Sequence, residues 1–230
     1  MTRLPSIFRY ISSLAINLLL ALPVCAQADR QMAADVVERD STAWLKGFAV
    51  GVDLAGLVQY AISDYGQFEA QLRINLRDRY FPVFEAGVGR ARHDDIVTLI
   101  HYRSTAPYFR IGADYNLMKN KHDFYRIYGG ARYALSYFKY DVSHPGVTDP
   151  NWGDVAPYGA DGVSAHCHWA ELSVGVDATI WSVIHLGWSV RYRKRLFHSD
   201  GDYGNVWYVP GFGRSGSTRI GYTFMLAVDI

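Results

Sequence analysis

Three things are scarce in this chain. It has no uninterrupted apolar run of the roughly 18–20 residues that a membrane-spanning helix needs, which argues against a polytopic helical membrane protein. It has almost no net charge, with 23 Lys and Arg against 22 Asp and Glu. That balance argues against a nucleic-acid binder, because phosphate recognition wants a clustered basic surface. It has only two cysteines, Cys25 and Cys167, too few for a disulfide framework. What is plentiful is aromatic and small: 17 Tyr, 11 Phe, 6 Trp and 21 Gly among 230 residues, half of them apolar. Disorder is excluded by that hydrophobicity and low charge. The length suits one domain, or two small ones. A soluble β-sandwich and an outer-membrane β-barrel both fit these counts.

Residues 1–26 are read as a secretory signal peptide. Arg3 and Arg9 make the positive start, Leu14 to Val24 forms a short apolar stretch, and small residues follow. Cleavage after Ala26 leaves 230 − 26 = 204 residues, and charge falls to 21 − 22 = −1 because two Arg are lost. The alternative is a lipoprotein carrying its lipid on Cys25. If Cys25 is removed, Cys167 stands alone and no internal disulfide can form. Residues 27–45 are polar and lack strand alternation, so they are expected to be a periplasmic tail. Asp40-Ser41-Thr42 in that tail matches a three-residue O-glycosylation pattern, a match that short polar segments produce by chance.

Residues 46–230 carry a period of two. Phe68, Ala70, Leu72, Ile74 and Leu76 alternate with Gln67, Glu69, Gln71, Arg73, Asn75 and Arg77. One face is apolar and the other polar over about ten residues, which helical spacing cannot produce. Seven other runs behave alike: Phe48 to Leu54, Tyr80 to Gly89, Phe109 to Tyr115, Tyr125 to Tyr133, Ala170 to Ile180, Ile184 to Tyr192 and Thr218 to Ile230. The connections after the second, fourth and sixth runs are short. Those after the first, third, fifth and seventh are long, at 59–66, 90–104, 141–167 and 197–216. Strict alternation of this kind is expected of an eight-stranded antiparallel up-and-down transmembrane β-barrel in the Gram-negative outer membrane, with turns on the periplasmic rim and loops outside.

Face chemistry points the same way. Glu69, Arg73, Glu85, Arg110, Asp114, Arg126, Arg132, Glu171, Asp177, Arg191 and Arg219 fall on the polar faces, interleaved with Gly. They are expected to fill a narrow lumen as a structural charge network, bulky chains alternating with none. The apolar faces would then meet lipid. Tyr80, Tyr115, Tyr125, Tyr137, Trp181, Tyr192, Trp207 and Tyr208 at strand ends would form interfacial girdles.

Several segments together resemble an uncharacterised family of Bacteroidota outer-membrane barrel proteins, a domain of unknown function: GVDLAG (51–56), RDRYFPVFEAGVG (77–89), TAPYFRIGADYN (105–116), YGGARYALSYFKYD (128–141), DPNWG (149–153), HWAEL (168–172), LGWSVRYRKRL (186–196) and WYVPGFG (207–213). The resemblance implies an outer-membrane barrel and carries no activity or functional residue with it.

No catalytic residue, metal site or cofactor is expected. Gly211-Phe-Gly213-Arg-Ser-Gly216 matches a dinucleotide pattern but precedes a strand and opens no helix. Asp200-Gly-Asp202 begins like a calcium loop and then lacks its later ligands. His166-Cys167-His168 cannot converge on one ion from a straight strand. His185, Ser189 and Glu171 share a face, but His185 and Ser189 stand about 13 Å apart along a strand, too far for a triad. A pore is disfavoured by the charged lumen. That leaves the external loops, whose Trp152, Tyr158, Tyr203, Trp207, Tyr208 and Phe212 are candidate anchors for a partner. The expected role is non-enzymatic, a scaffold or partner-binding subunit contacting outer-membrane lipid and another envelope protein. The alternatives are a lipid-modifying enzyme and a narrow channel.

Overall fold

The computed structural model describes residues 43–148, 153, 155–202, 204 and 206–230. The expected signal peptide, Cys25, the tail up to residue 42, Trp152 and Tyr203 lie outside the described residues. Strand β1 (Gly47–Asp53) leads into helix α1 (Leu54–Ile62). Then follow β2 (Tyr65–Asn75), β3 (Tyr80–Asp94), β4 (His101–Asn116), β5 (Tyr125–Thr148), β6 (Val155–Trp181) and β7 (Ile184–Ser199). The two-residue strands β8 (Tyr208–Val209) and β9 (Gly213–Arg214) pair with each other, and β10 (Thr218–Asp229) ends the chain. The ring β1–β2–β3–β4–β5–β6–β7–β10 closes because β10 pairs back onto β1, Ala49 opposite Asp229 and Asp53 opposite Met225. Every pairing is antiparallel, so the architecture is the eight-stranded up-and-down barrel that the alternation predicts.

The wall is inverted relative to a soluble core. Phe68, Leu72, Phe84, Val88, Phe109, Ile111, Leu172, Val174, Ile220 and Tyr222 point outward and are exposed, whereas Glu69, Glu85, Arg110, Glu171 and Arg191 point inward and are buried. Period-two alternation on a closed ring dictates this sorting, since each strand has one inner and one outer face. Glycine makes room inside. A Cβ on Gly87 would lie 2.5 Å from the Tyr108 ring, and one on Gly112 would lie 2.6 Å from the Arg132 side chain.

Four departures from the sequence reading follow from local chemistry. The first strand stops at Asp53 rather than running through Leu54. Asp53 Oδ1 accepts from the Ala55 N–H at 3.1 Å and from the Phe224 N–H at 3.1 Å, so it caps α1 and ties the strand end to β10. The connection at 90–104 shrinks to 95–100, because β3 and β4 pair up to Asp94 and His101. The span 141–167 is mostly strand: β5 and β6 stay paired to Thr148 and Val155 through two register shifts. A regular hairpin satisfies its backbone groups, which a structureless loop of that length would leave to water. Last, residues 206–214 turn inward and close the long-loop mouth of the barrel.

Candidate functional site

The interior has three storeys. At the short-turn rim lies an open vestibule of about 280 Å³. Asp78, in the β2–β3 turn, accepts from Lys46 Nζ at 2.5 Å and faces His122 Nδ1 at 2.6 Å. Burial pushes the Asp78 carboxyl up, but the hydrogen bonds from Lys46, Asn75 and His122 outweigh it and hold the carboxyl below its ordinary value. Across the vestibule, Thr179 Oγ1 lies 3.1 Å from His185 Nδ1, and His185 Nε2 lies 2.6 Å from Asp229 Oδ2.

Above it sits the charge network. Asp177 pairs with Arg73 and, at 2.8 Å, with Arg126. Arg132 bridges Glu85 at 3.0 Å and Asp114 at 3.1 Å. Glu85 also takes Arg191 at 2.7 Å and Arg110 at 3.2 Å. Glu69 pairs with Arg110 and accepts from the Tyr108 hydroxyl at 2.7 Å. Glu171 takes Arg110 at 3.0 Å and accepts from the Trp169 indole at 2.6 Å. Charges this deep are tolerated only when paired and hydrogen-bonded, and the pairing here runs both between neighbouring strands, as in Glu85–Arg110 and Arg126–Asp177, and across the barrel, as in Arg73–Asp177 and Arg191–Glu85.

Ten of the eleven residues read from the sequence meet in this network: Glu69, Arg73, Glu85, Arg110, Asp114, Arg126, Arg132, Glu171, Asp177 and Arg191. Arg219 does not. It is near the long-loop mouth, where its guanidinium donates to the carbonyls of Arg214 and Ser215 at 2.8 and 2.7 Å. Arg193 takes its place, with Nε 3.2 Å from Glu171. The signal for Arg193 was legible, since it sits two residues from Arg191 on the same face. With Arg193 counted, six Arg face five carboxylates. The surplus is met by backbone: Arg110 donates to the Gly211 carbonyl at 2.7 Å and Arg193 to the Phe212 carbonyl at 3.0 Å.

The third storey is aromatic. Trp169, Tyr108, Tyr208, Phe212, Tyr102 and Tyr140 are buried together above the charges. Phe212 packs edge-on against Trp169 at 5.8 Å. Tyr102 donates to the Tyr208 carbonyl at 2.9 Å, and Tyr208 to the Gly66 carbonyl at 3.3 Å. Gly211 at φ +81° lies flat against the Tyr108 ring, where a Cβ would come within 2.5 Å.

This corrects the reading of the loop aromatics. Tyr208 and Phe212 are 2% and 0% exposed, so they plug the mouth and are closed to a partner. Trp207 is half-buried, stacked on His93 at 4.2 Å with planes 5° apart. Neither Trp207 nor Tyr208 joins a girdle, because the hairpin that carries them bends into the barrel. Tyr158 is exposed. Tyr80, Tyr125, Tyr137, Trp181 and Tyr192 do face outward. His166 and His168 also face outward, where Tyr133 and Tyr137 bond His168, while Cys167 points inward. The three therefore make no common site, and no metal-ligating group occurs among the described residues.

The architecture defines a class: a closed eight-stranded antiparallel barrel with a polar, filled interior and an apolar wall. The chain belongs to the family described as Domain of unknown function (DUF6048), whose model matches residues 7–230. No curated protein matches the sequence. Among solved structures it is similar to Ail, the attachment invasion locus protein of Yersinia pestis, crystallised with the heparin analogue sucrose octasulfate. That likeness covers 80% of this chain and 93% of Ail at 10% identity, with a TM-score of 0.37.

Proposed function

We propose that this chain is a closed, non-enzymatic outer-membrane barrel that holds another envelope protein at the cell surface. Its apolar outer wall, ringed near the short-turn rim by Tyr80, Tyr125 and Trp181, suits a bilayer, and ring closure satisfies the backbone there. A channel is the weaker reading, because ion pairs and the aromatic plug fill the lumen. The observation that carries the partner-binding role is an open sheet edge. β7 pairs with β6 only as far as Ser199 opposite His166. Beyond it β6 runs on to Val155, paired on its other side to β5. Gly201 comes against Val163 and Ser164. From 155 to 162, no strand lies on that side among the described residues. An edge with no neighbouring strand can accept an extended strand from another chain.

The test is a photo-reactive residue at Asp161, exposed on that edge, compared with one at Trp188 on the barrel wall. A discrete protein adduct from position 161 alone, in intact envelopes, is expected. Equal adducts from both positions, or none, would count against the reading.

One geometry favours a second reading. Thr179, His185 and Asp229 are ordered as nucleophile, base and orienting carboxylate at the short-turn rim. His185 would take the Thr179 proton during attack on an acyl carbonyl, and Asp229 would steady the imidazolium. It ranks second because Asp177 Oδ1 stands 3.7 Å from the same His185 nitrogen and would repel a developing oxyanion. Thr179→Ala should leave lipid A and phospholipid mass spectra unchanged; an altered acyl pattern would favour the enzyme.

A further inference from the structure

Among the described residues, the outer wall carries a charged patch that the interior does not explain. On the β3–β4 hairpin, Arg92 lies directly opposite Arg103, both outward and exposed. Like charges in that position repel. Arg90 and Thr105 form the next rung down, and Lys139 on β5 is exposed on the same side. Asp141 lies directly opposite Arg103 on β5 and Asp94 follows Arg92 on the same side of β3, so they offset part of this positive charge, yet neither makes an ion pair with the arginines. Asp64 faces His93 at 3.4 Å, Asp94 faces His101 at 2.6 Å, and Asp141 accepts from the Gly162 N–H at 2.7 Å. Arg92, Arg103 and Lys139 have no ion pair among the described residues, and Arg90 only lies over the Tyr60 ring at 5.7 Å.

Height fixes what could neutralise them. Below Arg90 and Thr105 the outward residues of this hairpin are apolar: Val88, Ala86, Phe84, Pro107, Phe109 and Ile111. From Tyr80 to Arg90 a strand at ordinary rise and tilt climbs roughly 25 Å, the height of the lipid-facing band of such barrels. The arginines therefore stand where the apolar band gives way to headgroups.

We propose that Arg92 and Arg103, with Arg90, Thr105 and Lys139 around them, form a binding site for the phosphomonoester headgroup of an outer-leaflet lipid. One phosphate accepts from both guanidiniums and cancels their repulsion, and the fork geometry of arginine suits this. The inference rests on the membrane reading of the barrel.

The test is the full chain reconstituted in phosphatidylcholine vesicles containing phosphatidic acid, released into detergent, with retained lipid counted by native mass spectrometry. Arg92→Gln with Arg103→Gln is the comparison, both sites being exposed and outside the core. Retention of phosphatidic acid over phosphatidylcholine is expected, falling about tenfold or more in the double variant. Equal retention by both proteins, or equal retention of both lipids, would overturn the site. Loss of retention on adding inorganic phosphate at matching concentration would assign the patch to a soluble anion instead, which also overturns it. A barrel that folds yet never enters vesicles, judged by protease protection of its wall, would refute the membrane reading, and the lipid site with it. Insertion without selective retention refutes the site alone.

Discussion

Arg110 Nη2 donates to the carbonyl of Gly211 at 2.7 Å, and that bond joins the charge network to the aromatic plug above it. Arg110 also contacts Glu69, Glu85 and Glu171, while Gly211 is the turn of the plug hairpin. With Arg193 and Phe212 repeating the arrangement, the plug is held by the surplus positive charge of the network beneath it. Closure of the lumen is therefore double, first by ion pairs and then by aromatic rings.

Phe212→Ala should test the two layers separately. The ring is fully buried against Trp169, so truncation is expected to cost about 3–5 kcal/mol, read by urea unfolding of vesicle-reconstituted protein. Planar-bilayer recordings should still show no conductance steps, because the charge network stays in place. Steps in this variant would show that the plug alone closes the lumen.

Glu85 is the hub of the network, contacting Arg110, Arg132 and Arg191. Glu85→Ala leaves three guanidiniums short of a partner and should cost about 3–5 kcal/mol. Arg219→Ala, at the loop mouth, should stay within about 0.5–1 kcal/mol. Equal losses in the same unfolding assay would put Arg219 back into the network.

Gly87 is a matter of space. Its Cβ would meet both the Tyr108 ring and the Phe68 carbonyl at 2.5 Å. Gly87→Val should destabilise by about 1–3 kcal/mol or more through overpacking, with loss of heat-modifiable mobility in gels. Unchanged mobility and stability would mean that Tyr108 can vacate its position.

The short-turn rim should respond to acid. Asp78 has a carboxyl held below its ordinary value of 3.8 in the folded state, so its contribution is complete above that value, fades as pH falls from there, and is lost once pH passes below the folded one. Below about pH 4, amide exchange in the segments 76–79 and 117–124, joined through Asp78 and His122, should quicken while the strands stay protected. Asp78→Asn should show the same exchange at neutral pH, and indifference to both changes would remove Asp78 as the tie.

Much of the barrel was legible because alternation on a closed ring leaves little freedom. Phe68 to Leu76 can face only one way if Glu69 and Arg73 are to find partners, and eight such runs joined by alternating short and long connections close in one manner. Ten of the network residues were legible for the same reason. The rest was hidden. Asp53 ends its strand because of bonds to Ala55 and to Phe224, which is distant in sequence. The upper parts of β5 and β6 reverse the rule of the lower wall: Phe138, Tyr140 and Val142 turn inward against the aromatic plug while Lys139, Asp141 and Ser143 face out, so the apolar-outward sidedness read from the lower strands does not carry over.

The sequence by itself determined the strand count, the sidedness of each strand and the inversion of polar and apolar faces, all of which follow from local period and connection length. Only the tertiary structure decided where the aromatic loop goes and what the surplus charge does. Tyr208 and Phe212 read the same whether they project outward or fold in. They fold in because Arg110 and Arg193, brought to the mouth from β4 and β7, need the carbonyls of Gly211 and Phe212, and no local pattern encodes a bond between residues 101 positions apart.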